Sequence, residues 1–170
     1  MSSLRSSTSK SVAIIQARME SSRLPGKVLK EISGRPMLAW VVERANRAQM
    51  VDQVVVATTT SPSDQAIADF CAQASYPYTR GDIYDVLNRY YTAAQEFNAT
   101  TVIRLTADCP LIDPDVIDKT VSAFADSQPP YDFVTNRLPP PWERTYPIGL
   151  DVEVCSIQTL EQAWREAKEP

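Results

Sequence analysis

The sequence predicts an α/β fold built around a mainly parallel sheet. Short apolar runs of strand length alternate along the chain with amphipathic segments of helix length. This alternation favours a parallel sheet, because neighbouring parallel strands need a crossover connection, which is usually a helix. The 170 residues, of which 44% are hydrophobic, fit one domain that can bury a sizeable core.

Each predicted element follows from its local pattern. Five short segments, apolar or rich in β-branched residues, are predicted strands: 12–16, 53–58, 101–105, 132–135 and 150–155. Five longer segments with helical spacing of apolar residues are predicted helices: 37–48, 62–74, 82–97, 114–125 and 157–167. Pro62 and Pro114 favour helix starts, since the first helical turn accommodates proline. Asp113 and Asp82 are the predicted caps of the helices that follow them.

Two segments are predicted to lie outside the regular elements. Residues 128–147 hold six of the thirteen prolines, including the run 139–141, and proline cannot donate a backbone hydrogen bond. This segment is therefore a predicted long loop, which either covers the mouth of a site or is a plain surface loop. Residues 1–11 lack the apolar stretch of a signal peptide and are expected to be a disordered tail before a domain over 12–170.

Composition argues against several classes of partner. The formal charge of −4 argues against nucleic-acid binding, which usually needs a basic face. No apolar run approaches the roughly 18 residues of a membrane-spanning helix, so no membrane partner is expected. The three cysteines, Cys71, Cys109 and Cys155, are far apart and odd in number, which is typical of reduced thiols in a cytoplasmic protein.

The chain contains no histidine. This excludes a Ser-His-Asp or Cys-His nucleophile and a His-ligated zinc site. Any chemistry must therefore depend on carboxylates, lysine, arginine, hydroxyl groups or a hard cation.

The segment QARMESSRLPGK, residues 16–27, directly follows the first predicted strand. It carries three cations and two hydroxyl groups: Arg18, Arg23, Lys27, Ser21 and Ser22. Ligands of parallel sheets bind beyond the carboxyl ends of the strands, and arginine and lysine both suit phosphate oxygens. Each cation alone could be a solvated surface charge, but together they predict an anion-binding loop. Neither GxxxxGK[ST] nor GxGxxG is present.

A carboxylate follows the third predicted strand. In the segment RLTADCP, residues 104–110, Asp108 is expected at the carboxyl edge of the sheet. There it would suit Mg²⁺, which takes one or two protein carboxylates and completes its shell with water and phosphate oxygens. The alternative is a turn or helix-capping aspartate, a role that fits Asp113 better.

The last predicted strand has a polar face. Asp151 and Glu153 alternate with apolar residues and therefore point to the same side. This face could line a pocket for a polyhydroxy substrate, or it could belong to an edge strand that faces water. Asp82, in the turn of residues 80–82, is a further candidate for ligand contact.

The segments ARMESSRLPGK, KVLKEISGRPML, VVVATT and LTADCPLIDP, in that order, resemble the sugar nucleotidyltransferases. The resemblance is strongest to the cytidylyltransferases of the ketodeoxyoctonate and acylneuraminate type, and within them to the spore coat polysaccharide biosynthesis protein F group. It extends over residues 12–167. It implies a three-layer, Rossmann-like nucleotide-diphospho-sugar transferase fold with a mainly parallel sheet.

The resemblance also implies a Mg²⁺-dependent reaction in which an acidic sugar attacks the α-phosphate of CTP and releases pyrophosphate. Matched by position, the catalytic residues would be Arg23, Lys27 and Asp108, and Asp108 would hold Mg²⁺. The nucleotide-binding residues would be Gln16, Ala17, Arg18, Ser21, Ser22, Arg23, Lys27 and Arg104. The sugar-binding residues would be Asp151, Glu153 and Asp82.

The chain departs from the family in two respects. The ketodeoxyoctonate enzymes carry His-x-Ser-Gly-Thr where this chain has residues 80–84, RGDIY, which leaves the sugar and the nucleotide open. Family members also continue into a part with a second metal-binding acid and much of the surface of a homodimer, so the domain is expected to be C-terminally truncated. A nucleotide- or nucleotide-sugar-binding module without turnover, and a glycosyltransferase-like enzyme, are the alternatives.

Overall fold

The computed structural model describes residues 9–138 and 143–168. Its strands are β1 Ser11–Gln16, β2 Glu31–Ile32, β3 Arg35–Pro36, β4 Gln53–Thr59, β5 Tyr78–Gly81, β6 Thr101–Thr106, β7 Phe133–Thr135 and β8 Glu153–Ser156. Its helices are α1 Met37–Ala45, α2 Gln65–Gln73, α3 Val86–Glu96, α4 Pro114–Ala125 and α5 Ile157–Glu166. Two 3₁₀ turns, Lys27–Leu29 and Pro62–Asp64, precede β2 and α2.

Six strands form one sheet in the order β5-β4-β1-β6-β8-β7. The first four of these are parallel, whereas β8 runs antiparallel to both β6 and β7. Gln16, the last residue of β1, is in register with Ala57 on one side and Thr106 on the other. The carboxyl ends of β1, β4 and β6 therefore meet at one edge of the sheet, as the sequence predicts.

Helices cover both faces of this sheet. Side chains of β1 alternate between the two faces, so Ala13 and Ile15 pack with α1, α2 and α4, while Val12 and Ile14 pack with α3 and α5. All four of these residues are fully buried. A strand that is apolar on both faces is typical of the centre of a three-layer α/β domain. The predicted fold class is confirmed.

Several boundaries differ from the predictions. β5 was not predicted, because it is a four-residue edge strand, YTRG, with little apolar pattern. The hairpin of β2 and β3 was also missed, since each strand has two residues. α3 begins at Val86 and is capped by Asp85, whose carboxylate accepts from Asn88 N. The prediction of Asp82 as this cap is therefore wrong: its carboxylate accepts from the amides of Tyr84 and Asp85 within the preceding turn.

The predictions for α4 and for the last strand have different outcomes. α4 begins at Pro114 with Asp113 as its N-cap, as predicted. The strand predicted over 150–155 begins only at Glu153, and it lies between β6 and β7. The alternative of a water-facing edge strand is therefore wrong, because β7 occupies that edge.

Parts of the predicted tail and loop lie outside the described residues. Those parts are residues 1–8 of the tail and residues 139–142 of the long loop, which include the proline run 139–141. Within 9–138 and 143–168, no helix combines the length and the apolar character needed to cross a bilayer.

The close packing of β5 against α3 generates a first prediction. A Cβ added at Gly81 would lie 2.7 Å from Cγ of Arg89, which is itself 3% exposed. Gly81→Ala is therefore expected to lower the free energy of unfolding by about 1–3 kcal/mol, measured by urea titration. The same substitution in an Arg89→Ala background removes the clash and should cost much less. An equal cost in both backgrounds would contradict this account.

Candidate functional site

The loop over residues 16–27, called here the anion loop, connects β1 to the first 3₁₀ turn. Its backbone is held at two points. Met19 N donates to Oδ1 of the buried Asp64 at 2.6 Å, and Gly26 N donates to Met19 O at 2.8 Å. Gly26 has φ 70°, a left-handed conformation that glycine adopts without strain. These two contacts fold the loop back over the carboxyl end of β1.

A cavity of about 270 Å³, called here the loop cavity, lies inside this fold. Its lining comes from the anion loop and from the end of β6: Gln16, Arg18, Glu20, Ser21, Ser22, Arg23, Lys27, Val28, Thr106, Ala107 and Asp108. The predicted cations and both serines are thus brought together. Three cations around one small polar cavity can bind an anion with several oxygens.

Lys27 and Asp108 form a salt bridge across the loop cavity. The segment that carries Asp108 is fixed to β1, because Ala107 N donates to Gln16 O at 3.0 Å. Partial burial raises the pKa of the Asp108 carboxyl, but hydrogen bonds from Lys27 and Thr106 outweigh it and hold this pKa below its usual value. Asp108 is therefore ionised at neutral pH and can bind a cation.

A second cavity, of about 510 Å³, adjoins the loop cavity. The two share Arg23, Thr106 and Asp108. The remaining lining of this second cavity is Arg104, Cys109, Pro110, Leu111, Arg137, Ile148, Gly149, Asp151 and Glu153. Asp108 thus lies where the two cavities meet, and both cavities are lined by residues of both signs.

Most charges of the second cavity are paired. Arg104 lies 2.9 Å from Glu153 and 5.8 Å from the ring centre of Tyr90. Asp151 is in a salt bridge with Arg144. Arg137 is exposed and forms no salt bridge with another described residue. Its guanidinium group is therefore available for an anionic ligand.

The side chain of Asn136 connects two chain segments beside the second cavity. Its Nδ2 donates to Leu150 O at 2.7 Å, and its Oδ1 accepts from Val152 N at 2.9 Å. The amide group thus ties the chain after β7 to the chain before β8. Arg137 and Asp151, each next to a tied residue, both line this cavity.

Three predicted site residues lie elsewhere than expected. Ala17 is 2% exposed and packs in the core, so its side chain does not line the loop cavity. Arg104 lines the second cavity and not the loop cavity, because its side chain turns towards Glu153. Asp82 lines neither cavity, since its carboxylate is used in its own turn.

Sequence reasoning missed three polar residues that line the cavities and one, Asp64, that holds the anion loop. Glu20 and Thr106 line the loop cavity, and they lay within segments already singled out. Arg137 lies next to the proline run, and its charge is the only feature of the sequence that could have indicated a role in the site. Asp64 gave no signal, because the pattern Ser-Pro-Ser-Asp is that of an ordinary helix start.

The carboxylates of the loop cavity determine whether it suits Mg²⁺. Within the described part of the chain, no group of three or more acidic or cysteine side chains could hold a metal ion. Two carboxylates line the loop cavity beside the three cations, that of Asp108, whose side chain is 39% exposed, and that of the exposed Glu20. This set fits an ion that takes most of its ligands from phosphate and water, as Mg²⁺ does.

Comparison with known proteins agrees with this geometry. The cytidylyltransferase family matches residues 12–169, almost the whole chain. The chain belongs to the cytidylyltransferase family. The matched region includes the anion loop, Asp108 and the lining of both cavities, so the resemblance found in the sequence is confirmed.

Three relatives illustrate the range of the family. The spore coat polysaccharide biosynthesis protein SpsF of Bacillus subtilis is 30% identical over 157 residues, which are 90% of this chain. The 3-deoxy-manno-octulosonate cytidylyltransferase of Geobacter sulfurreducens is 36% identical over 115 residues, or 68% of this chain. A solved cytidylyltransferase of Leptospira borgpetersenii is 32% identical over 94% of this chain, with a TM-score of 0.85.

The chain is shorter than these relatives. It spans 65% of the Bacillus protein, 66% of the Leptospira chain and 45% of the Geobacter enzyme. The similarity therefore concerns the part of those proteins that contains the sheet and the anion loop.

The lowered pKa of Asp108 generates a prediction on stability. Because this pKa lies below its value of about 3.9 in an unfolded chain, Asp108 stabilises the fold above that pH. The contribution is lost as the pH falls through the folded-state pKa. Urea titration of the metal-free wild type and of Asp108→Asn should show a difference that is largest near pH 7 and shrinks in acid. A pH-independent difference would show that the ionised carboxylate contributes nothing.

Proposed function

We propose that this chain is the nucleotide-binding part of a Mg²⁺-dependent cytidylyltransferase, which transfers CMP from CTP to an acidic sugar and releases pyrophosphate. The observation that carries the proposal is the position of Asp108 and Arg23 on the boundary between the two cavities. Transfer requires a site for the triphosphate, an adjoining site for the acceptor and charged groups between the two. The two cavities and the residues that they share meet these requirements.

In the proposed complex the triphosphate occupies the loop cavity. Arg18, Arg23 and Lys27 bind its oxygens, and the hydroxyl groups of Ser21 and Ser22 donate further hydrogen bonds. Gln16, at the end of β1, belongs to the same lining and is proposed to contact the base. The nucleotide is held by positioned charges, so little covalent help from the protein is needed.

Asp108 is the proposed Mg²⁺ ligand. Bound there, Mg²⁺ would supply positive charge that neutralises the phosphates as charge develops on them. The salt bridge with Lys27 supports this role, because it pairs the Asp108 carboxylate with a positive charge. When phosphate enters, Lys27 exchanges this partner for a phosphate oxygen and remains a mobile donor for the leaving pyrophosphate.

The acceptor sugar is proposed to occupy the second cavity. Asp151 and Glu153, held by their salt bridges with Arg144 and Arg104, present acceptor oxygens to sugar hydroxyls. Arg137 offers the guanidinium group to an acidic substituent such as a carboxylate. The names of the Bacillus and Geobacter relatives support a sugar acceptor and a role in surface polysaccharide synthesis. A cytoplasmic location and a homodimer stay predictions.

The test is a pair of measurements on the 170-residue chain. Calorimetric titration with CTP, UTP, ATP and GTP in the presence of Mg²⁺ should show selective binding of CTP. Pyrophosphate release should then appear with CTP and a suitable acidic sugar, such as 3-deoxy-manno-octulosonate. Binding without pyrophosphate would favour the binding module, binding of a finished nucleotide sugar alone would favour the glycosyltransferase-like alternative, and no nucleotide binding would overturn the proposal.

The role of Lys27 generates a prediction on turnover. Lys27→Ala should lower kcat roughly 10²–10³-fold, the typical loss of one positioned donor to developing charge. The matched control is Lys30→Ala, since Lys30 is an exposed lysine three residues away that lines neither cavity. Initial rates of pyrophosphate release measure both variants. Wild-type turnover by Lys27→Ala would remove Lys27 from the mechanism.

The guanidinium of Arg137, which forms no salt bridge with another described residue, generates a prediction on specificity. Arg137→Ala should raise KM for an acidic acceptor roughly 10- to 100-fold, the range expected for a lost hydrogen bond to a charged group, while KM for CTP stays unchanged. An acceptor whose carboxylate is replaced by an amide should lose most of this difference. Arg47→Ala, an exposed arginine after α1, is the control. Equal effects on both acceptors would mean that Arg137 does not read the carboxylate.

A further inference from the structure

We propose that the buried carboxylate of Asp64 is a positioning residue that sets the anion loop in the conformation that binds the triphosphate. Asp64 touches neither cavity, and it lies in the 3₁₀ turn before α2. The inference rests on the proposed function, since it assigns the loop to a triphosphate. It adds a residue outside the cavities that determines whether the loop cations are in place.

Both oxygens of Asp64 are used inside the protein. The residue is 0% exposed. Oδ1 accepts from Met19 N at 2.6 Å, and Oδ2 accepts from the hydroxyl group of Thr59 at the end of β4. The same hydroxyl oxygen accepts from Ser61 N at 3.1 Å, which fixes its own orientation. The carboxylate thus joins the anion loop directly to the end of a central strand.

Met19 also connects Asp64 to the other end of the anion loop. Met19 O accepts from Gly26 N at 2.8 Å, so one residue carries the contact from Asp64 to the Pro-Gly turn. The side chain of Met19 also packs there, because its Cε lies 3.3 Å from the place of a Cβ on Gly26. Arg18 precedes Met19 and Lys27 follows Gly26. Two of the three loop cations are therefore neighbours of anchored residues.

The free-energy cost of burying the Asp64 carboxylate indicates a role other than stabilising the fold. Burying a carboxylate costs free energy. Within the described residues Asp64 forms no salt bridge, and the attraction of Arg89, which lies beyond salt-bridge distance, offsets part of that cost. A fold that needed only packing at this point would be served by an apolar side chain. A carboxylate can accept two hydrogen bonds in fixed directions, and here those directions determine where the loop backbone lies.

The chain supplies a matched control in Asp118. Its carboxylate also anchors a loop, because its two oxygens accept from Gln49 N at 2.9 Å and Met50 N at 2.8 Å. That loop precedes β4 and so lies at the opposite edge of the sheet from the cavities. Asp118→Ala therefore removes the same kind of interaction without touching the anion loop.

The experiment compares Asp64→Ala, Asp64→Asn and Asp118→Ala in the full chain. Asp64→Ala should weaken CTP binding, measured by calorimetry with Mg²⁺, by roughly tenfold or more, because small misplacements of binding groups are costly. It should raise KM for CTP but not KM for the acceptor. Asp64→Asn keeps an oxygen for Met19 N and should recover most of the affinity. Asp118→Ala should bind CTP as the wild type does.

Hydrogen exchange of the Met19 and Gly26 amides gives a readout that needs no nucleotide. Asp64→Ala should speed exchange at both amides, while Asp118→Ala should leave them protected. Unchanged exchange, or equal losses of CTP affinity in Asp64→Ala and Asp118→Ala, would overturn the positioning role. A wild type that binds no CTP would instead overturn the proposed function, and exchange would still decide the role of Asp64.

A second substitution covers the case in which Asp64→Ala does not fold. Asp64→Glu keeps the charge and both acceptor oxygens but displaces them by one methylene group. The positioning role predicts that it loses CTP affinity roughly tenfold as well, whereas Asp118→Glu does not. Wild-type affinity in Asp64→Glu would show that the place of this carboxylate does not matter, and would overturn the proposal.

Discussion

The pairing of β1 with β4 on one side and β6 on the other is the constraint on which the site depends. Its register puts Gln16 level with both Ala57 and Thr106, so three loops emerge at one edge of the sheet. The backbone pairing continues one residue further, since Ala17 N donates to Ala57 O and Ala107 N donates to Gln16 O. Apolar burial on both faces of β1 makes any shift of this register costly.

Around that edge the charges are arranged in compensated pairs. Asp108 is balanced by Lys27, Glu153 by Arg104 and Asp151 by Arg144. Each salt bridge stabilises a partly buried charge when no ligand is bound. A ligand that interacts more strongly with that charge can then replace the salt-bridge partner. Arg18, Arg23 and Arg137 line the cavities and form no salt bridge with another described residue, so a negatively charged ligand can bind beside them.

The sequence predicted the parts of the fold that local pattern controls. β1, β4, β6 and α4 appear close to their predicted bounds, because strongly apolar strands and a proline at a helix start leave few alternatives. β5 escaped prediction because a four-residue edge strand is held by its neighbour and not by its own composition. Asp82 failed as a cap because Asp85, three residues later, offers the helix the same carboxylate.

The sequence by itself determined the cation-rich loop after a buried strand, the acid after another, and the family to which the chain belongs. Those features are contiguous in the chain, and a pattern of residue types is enough to reveal them. Only the tertiary structure decided that Arg104 faces Glu153, that Arg137 reaches the second cavity and that Asp64 holds Met19. These contacts join residues far apart in the chain, and their directions follow from how strands and loops pack together.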